Sequence, residues 1–196
     1  MNENIEIEQH PLTPFLPRNG RLLMLGSFPP QKKRWVMDFY YPNFNNDMWR
    51  VFGLIFFDDH LHFVDTKAKT YRKEEIQAFL NKVGIGLLNT ASAVRRLKDN
   101  ASDKFLEVVT PTDVVALLEK MPQCRAIATT GQKATDTLCA LFNIPQPPLG
   151  SYTEFSLHSS KFRLYRMPST SRAYPLALQK KAEAYKKMFE ELGILA

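Results

Sequence analysis

Four consecutive apolar residues, Leu22-Leu23-Met24-Leu25, end abruptly at Gly26-Ser27-Phe28-Pro29-Pro30. A short apolar run closed by glycine and proline reads as a buried strand and the sharp loop that leaves it. Gly84-Ile85-Gly86-Leu87-Leu88-Asn89 and Arg125-Ala126-Ile127-Ala128-Thr129-Thr130 have the same form, the second closed by Gly131. Tyr152–Leu157 and Phe162–Met167 read as two more strands around a His158–Lys161 turn. Helical patterns lie between these runs. Asp47 to Phe57 fits a short, mostly buried helix, and Lys73 to Val83 an amphipathic one with Ile76, Phe79, Leu80 and Val83 on one side. Thr110-Pro111-Thr112-Asp113 is a helix start, with a hydroxyl cap and proline in the first turn, and that helix is expected to run to about Met121. Lys133 to Phe142 is a further helix, and Pro175 opens a last one whose apolar face is Leu178, Ala182, Tyr185, Phe189 and Leu192. Strands alternating with helices predict an α/β fold, a parallel sheet with helices on both faces. Asp58–Tyr71 and Thr90–Glu107 show no clean period and read as loops, the second long and basic with Arg95, Arg96, Lys98 and Lys104.

The 196 residues are enough for one domain, expected over 1–196, with residues 1–20 as an N-terminal arm packing Leu12, Phe15 and Leu16 on the body. No apolar run reaches the length needed to cross a bilayer, and Met1-Asn2-Glu3-Asn4 is unlike a secretory signal, so a cytoplasmic protein is expected. Cys124 and Cys139 are expected to be free, buried and inert. The four histidines are scattered, and His60 and His62 have no third ligand at helical spacing, so no metal site is expected. A net charge of +6 fits a polyanionic partner.

Parallel sheets bind ligands outside the carboxyl ends of their strands. Those ends are Gly26–Pro30, Asn89–Thr90, Thr129–Lys133 and Pro168–Arg172, mostly small, polar or basic. Beside the first stand Trp35, Phe39, Tyr40 and Tyr41, then Pro42-Asn43-Phe44-Asn45-Asn46-Asp47-Met48-Trp49-Arg50. Rings offer stacking and amides read donors and acceptors, which suits a flat, polar-edged ligand such as a nucleobase. The same aromatics would also serve simply to cap a core.

Taken in order, Gly26-Ser27-Phe28-Pro29, the Tyr41-to-Trp49 segment with Asn46 three residues before Trp49, Gly84–Asn89 and Pro168-Ser169-Thr170-Ser171 resemble the uracil-DNA glycosylase superfamily. Their order and spacing are most similar to its mismatch-specific and hypoxanthine-DNA glycosylase branches. The resemblance spans Leu22 to Ala173. It implies a three-layer α/β/α sandwich around a short, mainly parallel four-stranded sheet. It also implies a monofunctional, monomeric DNA-repair enzyme without metal or cofactor, which flips a deaminated base, uracil or hypoxanthine, out of damaged or mismatched DNA, duplex or single-stranded, and hydrolyses its N-glycosidic bond. On this resemblance Asn46 orients the water. Gly26, Ser27, Phe28, Tyr41 and Asn89 form the base pocket, with Tyr41 stacking and Asn89 reading the base edge. Ser169, Thr170 and Ser171 grip the DNA, with Arg172 as a wedge or a phosphate contact. By charge and position, rather than by the resemblance, Arg95, Arg96 and Lys133 are expected to contact phosphates, or else to form a solvated face. Asn46 fits equally a cap for the helix after Asp47, Tyr41 a core ring and Asn89 a turn cap. Two positions depart from the family: Phe28 stands where a polar residue is usual, and Met167 where a histidine often precedes Pro-Ser. Both keep open a catalytically silent nucleic-acid binder on the same fold. A hydrolase of free nucleosides or nucleotides is the other alternative.

Overall fold

The computed structural model describes residues 5–99 and 102–195. The run at 22–25 lies in β2 (Leu22–Gly26), preceded in the arm by β1 (Ile7–Gln9). It is followed by α1 (Met48–Phe57), the two-residue strands β3 (Val64–Asp65) and β4 (Thr70–Tyr71), α2 (Lys73–Val83) and β5 (Ile85–Asn89). Next come β6 (Ala91–Arg96), β7 (Leu106–Pro111), α3 (Val114–Leu118), β8 (Ala126–Thr130) and α4 (Gln132–Phe142). β9 (Ser151–Leu157), β10 (Ser160–Met167) and α5 (Leu178–Glu191) complete the chain.

β2 is apolar throughout because it is buried on both faces. Successive strand side chains point to opposite sides of the sheet. Leu22 and Met24 join a core with Trp49 and Phe52 of α1, Ile76 and Leu80 of α2, and Tyr185 and Phe189 of α5. Leu23 and Leu25 join a second core with Leu118, Leu138 and Cys139 under α3 and α4. Each of the four is fully buried, worth roughly 1.5–3 kcal/mol apiece. The result is the expected three-layer sandwich. Its sheet has five strands rather than four, in the order β5-β2-β8-β10-β9. The first four run parallel, and β9 returns antiparallel to β10 as an edge strand. His158 and Ser159 make that return at φ 45° and 67°, the left-handed pair that a two-residue hairpin turn requires.

Thr90–Glu107 is not one long loop. β6 and β7 pair antiparallel, and β1 joins the other edge of β6, giving a second, three-stranded sheet. Phe28, leaving β2, packs on Ala91, Val94 and Leu106 in a small third core. Thr110 and Pro111 therefore end a strand instead of starting a helix. Asp113 caps the short helix α3 by accepting the Ala116 N–H at 3.0 Å. The 58–71 segment carries the small β3–β4 hairpin. In residues 1–20, Phe15 exchanges both backbone hydrogen bonds with Leu87 on the free edge of β5. Cys124 and Cys139 are both free and buried, and burial pushes the Cys124 thiol up to about 11. Among the described residues no helix is long and apolar enough to cross a membrane.

Candidate functional site

The carboxyl ends of the parallel strands open into one cleft of about 510 Å³. β2 brings Gly26 to Pro30, β5 brings Asn89, β8 brings Thr130 and the segment after β10 brings Ser169 to Ala173. The Tyr40–Asn46 stretch ahead of α1 supplies the remaining wall. Tyr41, Asn46, Asn89 and Arg172, distant in sequence, thus line a common hollow. Arg95 and Lys133 are not among its lining residues.

Gly26 is the floor. A Cβ there would stand 3.1 Å from Asn89 Nδ2, 3.5 Å from Thr130 Oγ1 and 3.7 Å from the Tyr41 hydroxyl, so three polar groups converge over a residue with no side chain. The Tyr41 backbone sits at φ 52°, uncommon for a ring-bearing residue. Its half-buried ring is anchored by a 3.0 Å hydrogen bond between its hydroxyl and that of Thr130, and burial holds the phenol protonated. Asn89 is oriented by the N-terminal arm. His10 Nε2 donates to Asn89 Oδ1 at 2.8 Å, and the imidazole meets Phe28 edge-on at 5.3 Å. With its oxygen bonded to His10, Asn89 leaves its N–H₂ end over Gly26. The contact joins residues 79 positions apart, and the sequence carries no local sign of it.

Asn46 and the loop after β10 are held as one unit. Asn46 Oδ1 accepts the Met48 N–H at 2.9 Å and the Thr170 hydroxyl at 2.8 Å. This leaves Nδ2 without a partner among the described residues. The Asp47 N–H donates to the Thr170 carbonyl at 2.8 Å, and Asn46 bridges Ser171. Beneath them the Asp47 carboxylate is a hub. Arg172 Nε lies 3.1 Å away, Lys181 Nζ 3.2 Å and an Arg50 terminal nitrogen 4.0 Å. Lys181, only 1% exposed, also donates to the Ser171 carbonyl at 2.9 Å. One turn along α5 the Tyr185 hydroxyl donates to the Pro168 carbonyl at 2.7 Å. Arg50 donates to the Phe44 carbonyl and to the Tyr71 hydroxyl, whose pKa burial pushes up to about 12. A lysine on the apolar face of α5, between Leu178 and Tyr185, was the available sequence signal for this network.

The second sheet delivers the remaining polar groups. Arg96 lines the cleft, but its guanidinium is engaged: it meets both oxygens of Glu8 at 2.9 and 3.0 Å and the Pro29 carbonyl at 3.1 Å. Arg95 faces Glu107 at 3.6 Å instead. Asp103, at the head of a short 3-10 turn (Asp103–Phe105) between β6 and β7, also lines the cleft, and its carboxylate accepts the Ser27 hydroxyl at 2.6 Å. Burial raises its pKa, against lowering by Ser27, Arg96 and Lys133. Asp103 lies in the segment that reads from sequence as a long basic loop, where no strand end or helical period marks it. Among the described residues no three His, Cys, Asp or Glu side chains stand together as metal ligands.

No family model matches the sequence, and no curated protein matches it either. Among solved structures the chain is similar to the solution NMR structure of a "putative Uracil DNA glycosylase" from Methanosarcina acetivorans, with a TM-score of 0.61 over 96% of this chain and 99% of that one. The fold is uracil-DNA-glycosylase-like. At 22% identity the likeness is one of architecture. On that architecture the two departures noted in the sequence are packing residues. Phe28 belongs to the small core and presents its remaining edge to the cleft, while Met167 is buried beside Tyr185 and Phe189.

Proposed function

We propose that the chain is a monofunctional DNA glycosylase, working as a monomer without metal or cofactor, that hydrolyses the N-glycosidic bond of a flipped, deaminated base. The observation that carries this reading is the convergence of Tyr41, Asn89 and Asn46 on one cleft beside the 169–172 loop. Deamination replaces an amine donor with a carbonyl acceptor, as in uracil and hypoxanthine. The Asn89 N–H₂ over Gly26 is a donor placed to accept that change and to reject the parent amine, since a buried polar group left unpaired is penalised heavily. Tyr41 supplies the face on which an everted ring stacks. Asn46 Nδ2 holds the water beside the sugar, and the cleft's amides steady the charge arriving on the departing base. Ser169 and the half-exposed Arg172 stand at the cleft's rim, where a DNA backbone would pass.

The test is a set of oligonucleotides, duplex and single-stranded, each carrying one uracil, hypoxanthine or xanthine. Release of at least one of these bases, with the matching cytosine, adenine or guanine strand untouched, is the expected result. A second reading, a silent DNA binder, draws on the apolar Phe28 and the buried Met167. It requires binding with steep salt dependence and no base release from any substrate. Space over Gly26 gives a narrower check. Gly26→Ala crowds only the Asn89 amide nitrogen, with Thr130 and Tyr41 at ordinary contact distance, so the fold should persist while base release falls roughly 10–100-fold through a misplaced amide. Unchanged release by that variant would place the base elsewhere.

A further inference from the structure

The cleft contains one carboxylate among the described residues, Asp103, which has no part in the stacking, base-reading or water-holding roles of Tyr41, Asn89 and Asn46. Asp103 comes from the second sheet to the same strand-end loop whose own side chain at position 28 is turned into the small core. Among the described residues its carboxylate accepts one hydrogen bond, from the Ser27 hydroxyl, and forms no ion pair. The neighbouring Arg96 is committed to Glu8, and Lys133 acts only at a distance. Asp103 is half-buried, and a carboxylate partly withdrawn from water is ordinarily paired, because an unpaired charge with reduced solvation is disfavoured. An unpaired one facing an open cleft is placed as a reactive group is placed.

Building on the glycosylase reading, we propose that Asp103 is the proton acceptor of the hydrolysis. The water oxygen forms its bond to C1′ of the everted nucleotide and gives a proton to the Asp103 carboxylate. The electron pair of the C1′–N bond leaves with the base. The base anion then takes a proton from solvent, and Asp103 returns its own, so the sum is water added across the bond. Ser27 fixes the carboxylate's orientation and leaves its second oxygen for the water.

The groups that bear on its titration are the Ser27 hydroxyl, Arg96 from β6, Lys133 from α4 and the Tyr41 phenol. Burial outweighs them and raises the pKa above the ordinary carboxylate value. A base must be ionised to act, so the rate is lost as pH falls through that raised value.

The experiment is single-turnover base release across pH, with DNA binding and thermal unfolding measured on the same samples. Asp103→Asn should lose roughly 10²–10⁴-fold in rate at neutral pH and lose the acid limb of the profile. DNA binding should be retained, and the unfolding temperature at neutral pH should not fall, because the substitution removes a charge the fold disfavours. Ser27→Ala removes a bond that favours the ionised form and should move the acid limb to higher pH. Release by Asp103→Asn at the wild-type rate, or an acid limb indifferent to Ser27→Ala, overturns the assignment of Asp103 alone. Absence of release by the wild-type chain on every lesion overturns the glycosylase reading, and this one with it.

Discussion

Asp47→Ala is expected to lower stability by roughly 3–5 kcal/mol, the range for breaking a buried ion pair from one side. In a chain of this length that corresponds to a fall of about 6–20 °C in unfolding temperature. The reason is asymmetry of exposure. Arg172, about half exposed, can turn to solvent when the carboxylate is gone. Arg50 keeps its bonds to the Phe44 carbonyl and Tyr71 hydroxyl. Lys181 has no such escape: its ammonium is buried and would retain only the Ser171 carbonyl. The penalty is therefore that of one stranded ammonium, and it should be reversible by removing that ammonium too. Asp47→Asn should show a similar loss, and combining it with Lys181→Met should recover most of it, since a neutral, well-filled replacement for a buried pair is often no less stable. Urea or thermal denaturation of the two single variants and the double variant checks this. Equal losses in the single and double variants would mean that Lys181 is not what makes Asp47 necessary. The network also joins the start of α1 to the loop after β10, so Asp47→Ala should loosen both walls of the cleft at once.

Burial explains what could be read from the sequence. A strand covered on both faces must be apolar at every position, so 22–25, 85–88 and 126–128 are visible as unbroken runs. The strand ends are visible for the same reason, and Tyr41, Asn46, Asn89 and Ser169 to Arg172 were singled out because they follow such ends or lie beside them. β6 and β7 carry no comparable signal. Their shared core is small, Phe28, Ala91, Val94 and Leu106 with the half-buried Val108 against them, and β6 is otherwise small residues and arginines whose charges are met by Glu107 and, across the arm, by Glu8. A sheet whose third strand comes from residues 7–9 has no local pattern to betray it. The same holds for individual side chains. His10 reaches Asn89, Lys181 reaches Asp47 and Asp103 reaches Ser27 only after the sheets are assembled. The first and third of these contacts set which end of an amide and which charge face the cleft, and the second ties down the loop beside it, so the chemistry of the site was less legible than its position.

Asn46 separates structure from chemistry in one residue, and two substitutions tell them apart. Its oxygen already serves the fold, accepting the Met48 N–H and the Thr170 hydroxyl, while its nitrogen is uncommitted among the described residues. Asn46→Ala removes both ends. It should lower stability by about 1–2 kcal/mol, through loss of a helix-start acceptor and a stranded Thr170 hydroxyl, and reduce base release by roughly 10²–10³-fold. Asn46→Asp keeps an oxygen for Met48 and Thr170 but turns the free end from donor to acceptor. It should therefore fold as well as the wild-type chain while losing base release to a similar extent. Adding a negative charge near DNA also weakens binding, so release must be measured in single turnover with enzyme in saturating excess. If Asn46→Asp stays active while Asn46→Ala does not, the water is held by an oxygen and the role assigned to Nδ2 is wrong. If both release base normally, Asn46 is a turn residue and the water is oriented by another group in the cleft.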